Sequence, residues 1–241
     1  MTQLSIVIPA RNEADNIVAL VEAIDRALVA HAPFEIIVVD DGSTDASVAR
    51  LVECAKTRPH LRVVRHGVSG GQSAAVHSGV LAATAPIILT LDGDGQNPPE
   101  ELPKLAAPLL SDTTGRIGLV AGQRVGRQDT WSKKLASRFA NALRGWLLQD
   151  GTRDTGCGLK AFRREAFLAL PYFDHMHRYL PALFARDGWQ IAHVDVSHRP
   201  RGAGRSNYSN LQRGLVGIFD LLGVAWLLRR RKKARPLPEG K

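Results

Sequence analysis

Four short runs in the first half of the chain are almost wholly apolar: Leu4-Ser5-Ile6-Val7-Ile8, Glu35-Ile36-Ile37-Val38-Val39, Leu61-Arg62-Val63-Val64 and Pro86-Ile87-Ile88-Leu89-Thr90-Leu91. Near-continuous apolar runs of this length predict strands of a sheet covered on both faces. The stretches between them, Ala14 to Val29, Asp45 to Ala55 and Gly71 to Thr84, read as helices. Strand, helix, strand repetition implies right-handed crossovers and a mainly parallel central sheet flanked by helices, an α/β class. Ligands then belong at the carboxyl ends of the strands. Polar clusters stand at those places: Pro9-Ala10-Arg11-Asn12-Glu13, Asp40-Asp41-Gly42-Ser43-Thr44-Asp45 and Asp92-Gly93-Asp94-Gly95-Gln96.

The second half is less regular. A strand is predicted from Ile117 to Gly122, an amphipathic helix from Ser132 to Leu148, a Gly-rich turn at Asp154-Thr155-Gly156-Cys157-Gly158, and a strand from Ala192 to Ser197. A basic loop follows, His198 to Tyr208, whose glycines permit movement. The segment Leu211 to Leu228 is apolar apart from Arg213 and Asp220, and ends in Arg229-Arg230-Arg231-Lys232-Lys233. As a helix it would be about 27 Å long, short of a ~30 Å hydrocarbon core, and the two interior charges make spanning costly. An amphipathic helix lying in the membrane interface is expected, with the basic cluster beside it facing anionic lipid. Residues 1–208 are thus read as one globular domain and 209–241 as a membrane-associating helix and tail.

With 241 residues, 44% of them apolar, the chain can bury one substantial core but not comfortably two. The net charge of +9 calls for an anionic partner. Cys54 and Cys157 are too few for a disulfide framework, and the N-terminus leads straight into a strand instead of a cleavable signal; cytoplasmic exposure is expected. Nucleic acid is not the expected partner: basic and aromatic residues do not interleave, and acidic clusters at the strand ends would repel phosphate.

The acidic clusters carry the chemistry. Asp92, Asp94 and Gln96 alternate along a chain leaving a strand, so their oxygens converge if the extended geometry persists. Hard oxygen donors suit magnesium or manganese; the alternative is a solvated acidic turn. Asp40 and Asp41 either accept hydrogen bonds from a base or ribose or cap the next helix, a role expected of Asp45. Glu13 faces the same choice. His175, His177 and His198 fit no metal-ligand spacing, and Trp226 is the tryptophan best placed for a lipid interface.

Taken together, Pro9-Ala10-Arg11-Asn12-Glu13, Asp40-Asp41-Gly42-Ser43, Asp92 to Glu100, Gly122-Gln123-Arg124 and Arg201 to Tyr208 resemble the family 2 inverting glycosyltransferases of GT-A fold, and within them the dolichol-phosphate mannose synthase group of polyprenyl-phosphate glycosyltransferases. The resemblance implies donor contacts by Pro9, Arg11, Glu13, Val39, Asp41, Gly93 and Asn207. It implies metal and diphosphate contacts by Asp92, Asp94 and Gln96, and phosphate contacts by Arg124 and Arg201. Asp94, Arg124, Arg201 and Asp154 are the catalytic candidates. Asn207 stands where relatives typically carry lysine, and Arg11 where many carry an aromatic residue.

The acceptor follows from charge. A hydroxyl needs a general base, whereas a lipid monophosphate is already anionic and needs positioning among cations. Lys133, Ser137 and Arg205 are the candidates for the acceptor phosphate, joined by Lys134 and Arg199; the lysines equally suit a solvated helix start. Asp154 is either a base for hydroxyl-directed transfer or an orienting group. The expected reaction moves a sugar, a mannose-like hexose as first choice, from a GDP- or UDP-sugar to dolichyl or undecaprenyl phosphate. The setting is the cytoplasmic face of the membrane, and a membrane transferase or flippase would use the product.

Overall fold

A computed structural model describes residues 2–31, 33–125, 145, 147–148, 151–199 and 210–230, with side chains of 210–216 excepted. Seven strands form one sheet: β1 (Leu4–Ala10), β2 (Phe34–Asp40), β3 (Leu61–Arg65), β4 (Ile87–Thr90), β5 (Ile117–Arg124), β6 (Lys160–Arg163) and β7 (Gln190–Val196), in the order β3-β2-β1-β4-β6-β5-β7. The pairs β1·β2, β1·β4, β2·β3 and β5·β7 are parallel, as the crossover rhythm predicts. Strand β6 runs antiparallel to both β4 and β5 and joins the two halves. It is absent from the sequence reading, because Lys160 and Arg163 break its apolar run and only four residues pair.

The helices are α1 (Ile17–Leu28), α2 (Ser47–Ala55), α3 (Gly71–Ala82), α4 (Leu102–Leu110), α5 (Arg164–Leu168), α6 (Leu180–Arg186) and α7 (Asn210–Arg229). Helix α1 buries Ile17, Leu20, Val21, Ile24 and Leu28, the stripe of a helix facing a core. Along β1, Leu4, Ile6 and Ile8 join the layer of α1, α2 and α4, while Val7 faces α3 on the other side. That alternation into two apolar layers explains why the strands read as continuous apolar runs.

Helix α1 begins at Ile17, three residues later than the sequence suggests. The preceding residues form a turn in which Glu13 O accepts the N–H groups of Asn16 (3.0 Å) and Ile17 (2.9 Å). Asp45 stands one residue before the N-cap position, Ala46, and accepts the N–H of Ser47, the first helical residue, at 2.9 Å and the Ala14 N–H at 3.2 Å. The expected helix from Ser132 to Leu148 lies mostly outside the described residues, of which 145, 147 and 148 are helical. The basic stretch from Arg201 to Tyr208 lies wholly outside them.

Helix α7 rests on the body through Val224, which is buried, and through Leu221, Ala225, Leu227 and Leu228. Asp220, an interior charge in the sequence, accepts a hydrogen bond from His175 Nδ1 at 3.1 Å. The opposite face exposes Ile218, Phe219, Leu222 and Trp226. No helix among the described residues is long and apolar enough to cross a membrane.

Candidate active site

The loops after β1, β2, β3 and β4 converge at the carboxyl edge of the sheet and are laced together. Asn12, held at φ 56°, accepts the Thr44 N–H (2.8 Å) on its side chain and gives its own N–H to Ser43 Oγ (2.9 Å). Asparagine tolerates this left-handed conformation better than most residues. Glu13, one of the expected donor contacts, accepts from Asn16 Nδ2 at 2.8 Å. Arg11 is exposed on the same loop.

Asp41 is almost fully buried and receives four donors: His66 Nδ1 (2.7 Å), Ser69 Oγ (2.7 Å), Gly70 N–H (2.8 Å) and Gly71 N–H (2.9 Å). Burial pushes its pKa up, but these donors outweigh burial and hold the carboxyl below its ordinary value. Four donors fill the acceptor positions of one carboxylate, so Asp41 serves to tie the loop after β3 to the loop after β2. Its neighbour Asp40 is also buried, with Oδ1 lacking any hydrogen-bond partner among the described residues. Val39 is fully buried beneath α3, where its side chain serves the core.

A cavity of about 430 Å³ opens between these loops and the second half of the sheet. Pro9, Asp92, Arg124 and Asp154, all singled out by sequence, line it. The extended alternation expected of Asp92, Asp94 and Gln96 is not what forms the acidic wall. The chain turns after Asp92, with Gly95 at φ 72° and the Gln96 N–H bonded to Asp94 Oδ1 at 3.1 Å. Gly93 packs against the end of β1, where an added Cβ would lie 3.1 Å from Pro9 O.

Asp92 accepts from Gln72 Nε2 (2.7 Å) and Asn97 Nδ2 (3.1 Å). Its pKa is raised, first by burial and then by the charge of Asp94; Lys160, Asn97 and Arg124 oppose the rise. Asp92 lines the cavity and Asp94, half-buried on the turn beside it, adds a like charge; two such oxygen donors are suited to a divalent cation, which relieves their repulsion. Asp92 and Asp94 would hold it. Gly158 makes room for this carboxylate, since a Cβ there would stand 2.5 Å from Asp92 Cγ. The Gly158 carbonyl is pinned by Thr90 Oγ1 at 2.9 Å.

Arg124 and Asp154 meet as a fork, Nε to Oδ2 at 2.5 Å and Nη2 to Oδ1 at 2.9 Å, with side chains 15% and 19% exposed. The pairing raises the pKa of Arg124 further, so it stays a cation. Gln123 Oε1 accepts the main-chain N–H groups of Arg153 and Asp154, both at 3.0 Å, and so shapes the turn that presents the carboxylate. At the end of β7, Arg199 donates its N–H to Gln96 O (3.0 Å) and pairs with Glu100 (3.1 Å). The basic stretch after β7 therefore starts beside the acidic turn.

Among the cavity residues without a site role in the sequence reading are Gln72, Lys160 and His177, the last weighed there only as a metal ligand and set aside. Lys160 could have been noticed as a charge inside the apolar run Leu159 to Phe162. His177 and its partner Ser73 (Nδ1 to Oγ, 2.8 Å) are 104 residues apart and carry no local signal. Burial, with Lys160, Arg178 and His175 adding to it, lowers the His177 pKa to about 3, so the ring is neutral. Cys157 also lines the cavity, but burial raises its thiol pKa, so it is no nucleophile at neutral pH. Of the other expected residues, Lys133, Lys134, Ser137, Arg201, Arg205 and Asn207 lie outside the described residues.

The fold is that of the GT-A glycosyltransferases, and comparison with known proteins shows the family. The family model described as glycosyl transferase family 2 matches residues 5–170, and the chain belongs to that family. Within it, the chain is 34% identical over 239 residues to the dodecaprenyl-phosphate galacturonate synthase of Rhizobium johnstonii, covering 97% of this chain and 69% of that protein. It is 35% identical over 227 residues to the undecaprenyl-phosphate 4-deoxy-4-formamido-L-arabinose transferase of Pectobacterium carotovorum, covering 91% of this chain and 66% of that protein. The chain thus spans about two thirds of the length of these relatives. Among solved structures, glucosyl-3-phosphoglycerate synthase from Mycobacterium tuberculosis with UDP superposes with a TM-score of 0.70 at 26% identity, over 93% of this chain and 80% of that one. The same enzyme with Mn2+, UDP-glucose and phosphoglyceric acid gives 0.69 at 26% identity, over 93% and 80%.

Proposed function

We propose that this chain transfers a sugar from a GDP- or UDP-sugar to the phosphate of a polyprenyl lipid, with inversion at the anomeric carbon. The observation that carries the reading is the state of Asp154. It is the one carboxylate of the Gly-rich turn that could act as a base, and the Arg124 fork engages both of its oxygens. A base so held has little capacity to take a proton from a hydroxyl, whereas a phosphate acceptor arrives ionised and asks only to be positioned. The names of the relatives, both polyprenyl-phosphate sugar transferases, support the same acceptor.

A divalent cation, Mg2+ or Mn2+, bound by Asp92 and Asp94 would neutralise the charge that accumulates on the departing nucleoside diphosphate. The protein's own part is to orient and to shield. Pro9 and the loops after β1 and β2 form the nucleotide side. Arg124 holds Asp154 at the cavity wall. Residues 1–208 form the catalytic unit on this reading. Helix α7, with Phe219 75% and Trp226 60% exposed, lies on the membrane face where the acceptor resides.

The test is transfer of radiolabelled sugar from a panel of GDP- and UDP-sugars into organic-extractable lipid, with polyprenyl phosphate and with Mn2+ or EDTA. The panel includes mannose-like hexoses, a uronate and a 4-amino-arabinose type. Metal-dependent label in the lipid phase supports the reading and identifies the donor. Label only in water-soluble products refutes it in favour of a hydroxyl acceptor.

A further inference from the structure

Lys160 is 5% exposed, sits on β6 in register with Thr90 of β4 and Ala121 of β5, and lines the cavity. Its Nζ donates to the Cys157 carbonyl, and no other acceptor takes a hydrogen bond from it among the described residues. An ammonium has three donors, so this one contact leaves it under-satisfied. Nor does Lys160 form an ion pair among the described residues, although Asp92 and Asp154 act on it through space. Each of those carboxylates has another claim on it: Asp154 is matched by Arg124, and Asp92 belongs to the acidic wall that suits a divalent cation. Burial correspondingly pulls the Lys160 pKa down, the response of a cation short of counter-charge.

A buried ammonium without a counter-charge costs several kcal/mol relative to an apolar side chain of similar volume. The strand gains nothing from it that leucine or methionine would not supply. We propose that Lys160 is an anion-binding residue of the cavity, its ammonium pairing with a negatively charged oxygen group of a substrate. Two sources carry that chemistry, the carboxylate of an acidic sugar and the phosphate of the acceptor. The naming of these sources rests on the transferase reading; the anion site itself rests on the geometry.

The experiment is calorimetric titration of the full chain and its Lys160→Met variant, with Mn2+ present, using two pairs of probes. UDP-glucuronic acid and UDP-glucose differ by the sugar carboxylate, and farnesyl phosphate and farnesol by the phosphate. Loss of a charge-assisted contact in a buried site weakens the member of one pair that carries the extra carboxylate or phosphate by about tenfold or more and leaves its twin unchanged. Selective loss for UDP-glucuronic acid assigns the sugar carboxylate, and selective loss for farnesyl phosphate assigns the acceptor. Equal loss across both members of a pair, or no loss for any probe, overturns the proposal. Lys160→Gln, which keeps a donor for the Cys157 carbonyl, is read with the same probes should the Met variant fail to fold. Because binding needs no turnover, and the transferase reading is judged on wild-type product, the two can fail separately.

Discussion

Asp154→Asn separates a phosphate acceptor from a hydroxyl acceptor. The wild-type pair with Arg124 has both contacts of a fork, 2.5 and 2.9 Å, at 15% and 19% side-chain exposure. Removing one charge from a buried pair costs about 3–5 kcal/mol. Asparagine keeps one oxygen facing the guanidinium, and the residual exposure softens the loss, so about 2 kcal/mol is expected here. For a domain of this size that lowers Tm by about 4–8 °C. The main-chain N–H of residue 154 still bonds Gln123 Oε1, so the turn keeps its shape. If the acceptor is a phosphate, kcat falls less than about tenfold, since no proton transfer is lost; removal of a general base costs about 10²–10⁴-fold. The assay pairs thermal unfolding with initial rates of labelled-sugar transfer at saturating donor. A fall beyond about 100-fold in kcat with an unchanged Tm would refute the argument.

Gly158→Ala should abolish transfer and weaken metal-dependent donor binding, because its Cβ would displace the Asp92 carboxylate; native circular dichroism with unchanged donor affinity would contradict this. His177 has a folded pKa of about 3 against 6.5 in the unfolded chain, so between those values the unfolded state binds a proton that the folded state does not. Its contribution to stability is complete above pH 6.5 and declines as pH falls, by at most about 1.4 kcal/mol per pH unit. Urea midpoints from pH 7 to 5 should therefore fall less steeply for His177→Gln; parallel curves would exclude the effect. Replacing the exposed Phe219 and Trp226 of α7 by serine should leave Tm unchanged and reduce sedimentation with phosphatidylglycerol vesicles about tenfold or more, and undiminished sedimentation would move the contact elsewhere.

The amino-acid order alone determined the parallel half of the sheet, because strands buried on both faces must be apolar throughout and the helices between them need one apolar stripe. It also pointed to Pro9 and Asp92, since ligands in such folds gather where strands end and those residues follow strands; Arg124 was named through the family resemblance and Asp154 as the acidic residue of the Gly-rich turn. Antiparallel β6 was not legible: four residues with a lysine and an arginine at the two ends give no periodicity to read. Only the tertiary structure could divide labour between Asp40 and Asp41, which look alike in sequence. One is saturated by donors from residues 66–71, and the other keeps a buried oxygen without a partner among the described residues. It also decided that Arg124 and Asp154 are partners, and that Lys160 stands beside the acidic wall without a matching charge among the described residues. Those facts depend on which distant segments meet at the sheet's edge, and the strength of a charge there depends on its burial and neighbours, neither of which is a property of local sequence.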